Sequence, residues 1–251
     1  MDKLNSFLSI VLCMSSIEIR EYKRMDLTNA PLIEGFASTG LVGTIVANFL
    51  VAVLELDQIA AIDSPYFPPL SMVYAAKPKF PARVYAKEEP KVAVFLSEFT
   101  PPPTLHRDIA KAIFSWSVEK NCSPIITVVG VTEEKAVGIK DIAAVGSTDS
   151  ARRMIENAGV ELLKVGTIIG ISGVLLNEGR WNHRDVIAFV VKIKEGIPDA
   201  RAAAKTLEAI GAIVPSIRVD VAPLYEEAAR LEAQVKLLRS QAEDLQKVMY
   251  R

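Results

Sequence analysis

Histidine and cysteine are scarce in this chain of 251 residues, with two of each. Cys13 and Cys122 lie far apart, so they offer neither a disulfide framework nor a metal-ligand pair, and a reducing interior is the simplest setting. His106 and His183 have no Cys, His or carboxylate at ligand spacing, so no metal and no other cofactor is expected. An excess of charge of one sign is also missing. The 29 Lys and Arg against 30 Asp and Glu leave a formal charge of −1, which argues against a nucleic-acid partner held by phosphate neutralisation. No apolar run reaches the roughly 18 residues that span a bilayer, so no membrane partner is expected and the cytoplasm is the expected location. What is plentiful is apolar side chain, at 50 % of residues, enough for a substantial core in one large domain or two small ones.

Residues 1–16 are read as a leader. Phe7 to Met14 (FLSIVLCM) is apolar behind Lys3, but it is short for a secretory signal and lacks a clear small-residue cleavage site, so a short strand or an untidy leader is expected. Met14 is an alternative natural start, because the amphipathic stretch from Ile17 reads as a fresh first strand.

From there the chain alternates. Ile17 to Tyr22 has the period of a half-exposed strand, and Pro31 to Phe36 is a second candidate. Gly35, Gly40 and Gly43 form a turn that opens a helix from about Leu41 to Leu54, apolar nearly all round and therefore expected to be buried on more than one side. Gln58 to Asp63 is a strand, followed by the Pro-rich and aromatic loop Ser64 to Leu70 (SPYFPPL). Ser71 to Ala76 and Ala82 to Lys87 are expected to pair as a hairpin. Val92 to Leu96, Ile125 to Val129 and Val186 to Val191 are continuous apolar runs, as strands covered on both faces are.

Three helices carry the remaining signals. One, capped by Thr104, runs to about Lys120 with Leu105, Ile109, Ile113 and Trp116 on one face. Another is capped by Thr148 or Asp149 and ended by Gly159, and a third is capped by Asp199 and ended by Gly211. A charged hairpin or loop is expected through Gly138 and Gly146, a strand over Leu162 to Thr167, and a helix over Ile171 to Leu176. The alternation predicts an α/β domain over residues 17–218, with a mostly parallel sheet covered on both faces as a three-layer α/β/α sandwich.

The search for catalytic groups runs out quickly. Gly35 and Gly40 have the spacing of a phosphate loop, but Leu41 stands where the lysine belongs, and no glycine lies two residues before Gly40 as a dinucleotide motif requires. Backbone amides at Gly40, Gly43 and Thr44 could still hold an anion at the helix start; the plainer reading is a tight turn that lets helix and strand approach. Ser172 in GISGV lacks the nucleophile-elbow frame, and His183 and Asp185 complete a triad only on paper. Glu34, Asp63 and Glu98 each end a predicted strand, where carboxylates commonly anchor loops. The stiff SPYFPPL loop is either a surface for protein contact or a loop folded onto its own domain.

The last 33 residues, 219–251, are of another kind. Apolar residues fall at Leu224, Ala228, Leu231, Val235, Leu238, Ala242, Leu245 and Met249, in alternating steps of four and three. That repeat makes a long C-terminal helix with a narrow seam, suited to packing on another helix, between copies or on its own domain. Met249 keeps the heptad phase.

Five blocks in order, GFASTGLVGTIVANFL, DSPYFPPL, LSEFTPPP, GISGVLLNEG and PDARAAAKTLEAI, resemble the proteasome assembly chaperone family, its archaeal members above all. The resemblance implies a sandwich similar to nucleoside phosphorylases but without their active site, and hence no enzyme. It implies a homo-oligomer and, as partner, the α-subunits of the 20S proteasome ring. Met249, Tyr250 and Arg251 match, position by position, the hydrophobic-tyrosine-any tripeptide with which some members dock between α-subunits. Because Met249 cannot fill a helix seam and such a pocket at once, the resemblance implies a seam engaged up to about Leu238 or Leu245 and a last turn that is loose in the free protein. The alternative of another class is a phosphorylase- or hydrolase-like enzyme holding phosphate at the Gly35–Gly43 turn.

Overall fold

A computed structural model describes residues 16–37, 39–134, 139–194 and 198–231. Nine strands form one sheet: β1 (Glu18–Glu21), β2 (Leu32–Gly35), β3 (Asp57–Asp63), β6 (Ala82–Glu88), β7 (Lys91–Ser97), β8 (Ile125–Thr132), β9 (Ile142–Gly146), β10 (Glu161–Leu162) and β11 (Val186–Ile193). Two more, β4 (Met72–Tyr74) and β5 (Lys77–Lys79), make a small separate hairpin. The order across the main sheet is β1-β3-β6-β7-β2-β8-β11-β9-β10. The centre, β7, β2, β8 and β11, is parallel, as expected of apolar runs covered on both faces. Antiparallel pairs join it on both sides, β6 with β7 and β9 with β11.

Five helices cover this sheet: α1 (Val42–Val53), α2 (His106–Glu119), α3 (Asp149–Asn157), α4 (Gly170–Trp181) and α5 (Ala200–Ile213). Alternate strand residues face opposite ways, so two cores result. Ile33, Val94, Ile126 and Phe189 join α1, α3 and α5 on one face, while Leu32, Phe95, Ile125 and Val186 join α2 and α4 on the other. This is the three-layer α/β/α arrangement. In α1, Val42, Val46, Ala47 and Leu50 are buried and Ile45, Phe49 and Val51 half-buried against the same core, while Asn48 and Val53 stay exposed. All four residues expected on the inner face of α2, Leu105, Ile109, Ile113 and Trp116, are buried.

Several local expectations are corrected. Met72–Tyr74 pairs with Lys77–Lys79, and Ala82–Glu88 pairs instead with β3 and β7, so the expected hairpin between the first and last of these does not form. Thr104 is not the cap of α2: a 3-10 turn over Pro103–Leu105 leads in, and Leu105 holds the cap position without a side-chain bond. Gly211 lies inside α5 rather than ending it; a Cβ there would meet Arg218 at 3.2 Å, so the glycine serves the close return of the chain. The stretch through Gly146, expected as a charged hairpin or loop, contains β9, which pairs with β11 in the main sheet, and β10 is only two residues long. Thr148 and Asp199 do cap their helices, accepting from the amides of Ala151 and Ala202, and Gly159 follows α3 with φ 71°.

The chain after α5 does not leave the domain at once. Ile217, Val221 and Leu224 belong to the core beneath α1 and α5, and residues 222–231 are helical. The Tyr225 hydroxyl bonds Glu208 of α5 at 3.1 Å, and the Arg201 guanidinium lies 5.9 Å from the centre of its ring.

Candidate functional site

In α/β sheets, sites collect beyond the carboxyl ends of the strands. Here that end gathers all five sequence blocks. The first follows β2, the second follows β3, the third follows β7, and the fourth and fifth open α4 and α5. They are tied to one another. The Asp199 amide donates to Gly40 O at 3.3 Å, joining first and fifth. The Phe67 and Phe99 rings meet edge to face at 4.9 Å, joining second and third. His106, three residues past the third block, has its Nε2 3.2 Å from Pro101 O of that block, and a Cβ on Gly170 of the fourth would stand 3.5 Å from its Nδ1, so the two blocks meet through this ring.

At the centre of this end lies a buried polar chain. Glu34 of β2, 4 % exposed, accepts from the Phe36 amide at 2.8 Å and from the Thr127 hydroxyl at 2.5 Å. Thr127 Oγ1 in turn lies 2.6 Å from Ser172 Oγ, in the first turn of α4. Burial pushes the Glu34 carboxyl up to about 7, against the pull of its two hydrogen bonds. The group therefore fixes the turn after β2 to β8 and α4 rather than facing solvent. The sequence marks it as a carboxylate inside an apolar strand, PLIEGF.

The Gly-rich turn is built for close packing. A Cβ on Gly35 would lie 2.2 Å from Ala47 Cβ, so only glycine lets β2 meet α1 there. Gly40 has φ 75°, and a side chain on it would strike Ile193 at 2.6 Å. Gly43 has ordinary room, 3.7 Å to Val128. The Thr44 hydroxyl lies 3.4 Å from Gly35 O, to which it donates.

The paper triad is not assembled. Ser172 opens α4, while His183 follows its end, about 16 Å further at 1.5 Å per residue. Asp185 accepts from the hydroxyls of Thr148 and Ser150. The Cys122 thiol is pushed up to about 12 by burial, which makes it a poor nucleophile. Among the described residues, no group of three or more His, Cys, Asp or Glu is placed to hold a metal ion, and no helix is long and apolar enough to cross a membrane.

The other end carboxylates are loop anchors. Asp63 accepts from the Ser64 amide at 2.9 Å. Glu98 forms an ion pair with Arg83, whose side chain is 2 % exposed, and Arg83 also donates to Phe80 O at 2.9 Å. Glu98 further accepts from the Tyr74 hydroxyl at 3.5 Å, so the pair anchors the β4–β5 hairpin to the sheet.

Of the seam, Leu224 and Ala228 are buried and Leu231 is half-buried. Val235, Leu238 and Leu245, and the tail residues Met249, Tyr250 and Arg251, lie outside the described residues.

The fold has solved counterparts. PbaA of Pyrococcus furiosus, described as an archaeal homolog of proteasome-assembly chaperone, is 30 % identical, covers 94 % of this chain and 97 % of its own, and superposes with a TM-score of 0.80. PbaB of the same organism, described as an archaeal proteasome activator, shares the fold at 23 % identity, with coverage of 90 % and 100 % and a TM-score of 0.76. An uncharacterized protein of Methanocaldococcus jannaschii is 25 % identical over 230 residues, 91 % of this chain and 93 % of its own. The model of the PAC2 family matches residues 32–239, and the chain belongs to that family.

Proposed function

We propose that this chain is a non-enzymatic chaperone or activator-like protein of the proteasome, a homo-oligomer whose C-terminal Met249-Tyr250-Arg251 tails bind the α-ring of the 20S particle. The observation that carries the reading is the likeness to PbaA, 30 % identical over 94 % of this chain. The domain, residues 17–218, is the holder, and residues 219–251 are the presenting helix. In the tail, Met249 would fill an apolar slot, Tyr250 would offer a ring and a hydroxyl, and the carboxylate of Arg251 would meet a pocket lysine. Each such contact is weak alone, and several tails on one oligomer raise avidity by ~10²–10⁴.

The buried polar chain also favours this reading over the phosphate-binding alternative. Glu34, Thr127 and Ser172 bond one another, and the Thr44 hydroxyl donates to Gly35 O, which leaves these groups engaged within the domain. Removing Met249 to Arg251 tests the proposal. Native mass spectrometry and pull-down with α-rings should show binding lost while the oligomer persists. Binding that survives the deletion overturns the tail's role, and phosphorolysis of a nucleoside by the pure protein would favour the enzyme.

A further inference from the structure

Among the described residues, four strands end a sheet: β1 and β10 in the main sheet, β4 and β5 in the small hairpin. A free edge is a template for another chain, and folded proteins blunt their edges with charge, proline or cover. Three of the four are blunted. β1 reads Glu-Ile-Arg-Glu, and beside it a groove of about 720 Å³ opens between β1 and α2, with Ile17, Trp116 and Ser16, where the described chain begins, in its lining. β10 starts with Glu161. β5 is Lys77-Pro78-Lys79. β4, Met72-Val73-Tyr74, has neither charge nor proline.

The ladder shows which groups of β4 are open. Tyr74 and Lys77 close the two-residue turn Ala75-Ala76, and Val73 stands opposite Pro78. Hydrogen-bonded and open pairs alternate along an antiparallel ladder, so the N–H and C=O of Val73 point away from β5, to the outer edge. At the matching place on β5, Pro78 has no N–H to offer. Val73 is also 69 % exposed.

The hairpin is not a relaxed loop. Ala75 and Ala76 both take left-handed backbone, φ 49° and 60°, where glycine or asparagine sits with less strain. Tyr74 packs on the buried Arg83, 5.9 Å from its ring centre, and Arg83 is paired with Glu98. The Arg83 side chain leaves β6 on the face opposite Ala82 and Val84, which join α2. Ser16 bonds Asp108 of α2 at 2.5 Å on that other face. A stiffly held strand thus presents an open, uncharged edge away from the point where the described chain begins.

We propose that this edge is a contact between two copies of the chain, their β4 strands pairing antiparallel about a two-fold axis at Val73. What fits the edge is a short, uncharged, apolar strand with an outward N–H and C=O at its centre, and β4 is itself such a strand. Val73 then exchanges both bonds with Val73 of the second copy, and each Met72 lies across from Tyr74 of the other, a sulfur-to-ring contact. The lysines of β5 do not oppose this pairing. In the order β5-β4-β4-β5 the two β5 strands are three spacings apart, roughly 14 Å, beyond the screening length of about 8 Å. The contact is isologous, one patch meeting itself. The proposal rests on the self-association in the reading above and not on proteasome binding.

The test uses the full chain, with native mass spectrometry and light scattering behind size exclusion. Val73→Lys and Val73→Glu each set two like charges about 5.5 Å apart across the axis, and each should halve the mass of the assembly, to 27.4 kDa where the assembly is a dimer. Mixing the two variant chains should restore the full mass, because opposite charges then face each other; only a patch that meets itself is rescued in this way. Val73→Pro removes the outward N–H without touching the bonds to β5, and it too should halve the mass. Unchanged far-UV circular dichroism checks that each variant is folded. A wild-type chain that runs at 27.4 kDa overturns this contact and the self-association together. A wild-type oligomer that all three variants leave at full mass overturns the contact alone. Variants that halve the mass but do not rejoin on mixing overturn the two-fold, and assign β4 to a different surface.

Discussion

The parallel centre of the sheet and its β1–β3–β6 flank are built from the same kinds of residue to different ends. In the centre, β7, β2, β8 and β11 are covered on both faces, and Leu32, Ile33, Val94, Phe95, Ile126 and Phe189 are fully buried. In the flank, one face packs on α2 through Ile59, Ile62 and Val84; on the other, Arg83 and Tyr85 of β6 are themselves buried, and exposure begins toward the edge, at Tyr22 just after β1. The buried Arg83 spends its terminal nitrogens on Glu98 and Phe80 O, and its Nε has no partner among the described groups. The difference is one of degree: burial on both faces is complete where the strands run parallel, persists through β6, and gives way at β1, whose residues are half-buried or exposed.

The sharpest way to break this contrast is Phe95→Ala. Phe95 is fully buried in the centre and meets Trp116 edge to face at 5.2 Å, so its loss should cost about 3–5 kcal/mol in denaturant unfolding. A cost under about 1 kcal/mol would mean that the centre does not carry the fold.

Next in size is the pH response of the one carboxyl set inside that centre. Glu34 has its pKa raised from 4.5 to about 7, so the folded state favours its protonated form. The stability this contributes is complete below about pH 4.5 and is lost as the pH rises through about 7, a change of about 3 kcal/mol. Unfolding free energies measured between pH 5 and 8 should fall for the wild type, and Glu34→Gln should remove most of that slope. An unchanged slope in Glu34→Gln would place the titration elsewhere.

The smallest effect belongs to the flank. Tyr74 is 46 % exposed, and Tyr74→Ala should cost less than about 1 kcal/mol, since it loses a ring contact to Arg83 and a long hydrogen bond. A loss as large as that of Phe95→Ala would erase the distinction between the two regions.

Much of the centre is readable without coordinates. VAVFL, IITVV and VIAFVV are runs too apolar for anything but strands covered twice, and each is one. The flank is less readable, because pairing there is decided by contacts distant in sequence. Ala82–Glu88 has an apolar alternation that fits several partners, and its choice of β7 and β3 over Met72–Tyr74 is made by the cores it joins. β9 escapes because Lys140 and Asp141 give its flanks the look of a loop, while Ala143 and Ala144 have little side chain to signal burial. At the candidate site, the five sequence blocks are visible as patterns, but their convergence on one end of the sheet follows only from the strand directions. Glu34 is visible as a strand-end carboxylate. Its enclosure by Thr127 and Ser172, distant in the sequence, is not.

The two tryptophans of this chain make a natural pair of optical probes. Trp116 is 4 % exposed, lies against Phe95 and lines the β1–α2 groove, while Trp181 at the end of α4 is 84 % exposed. Trp181 should emit as a solvated indole whether the chain is folded or not, so nearly all of the spectral shift on unfolding comes from Trp116. With Trp181→Phe the protein becomes a single-fluorophore instrument, whose emission reads both the integrity of the centre and whatever enters the groove beside it.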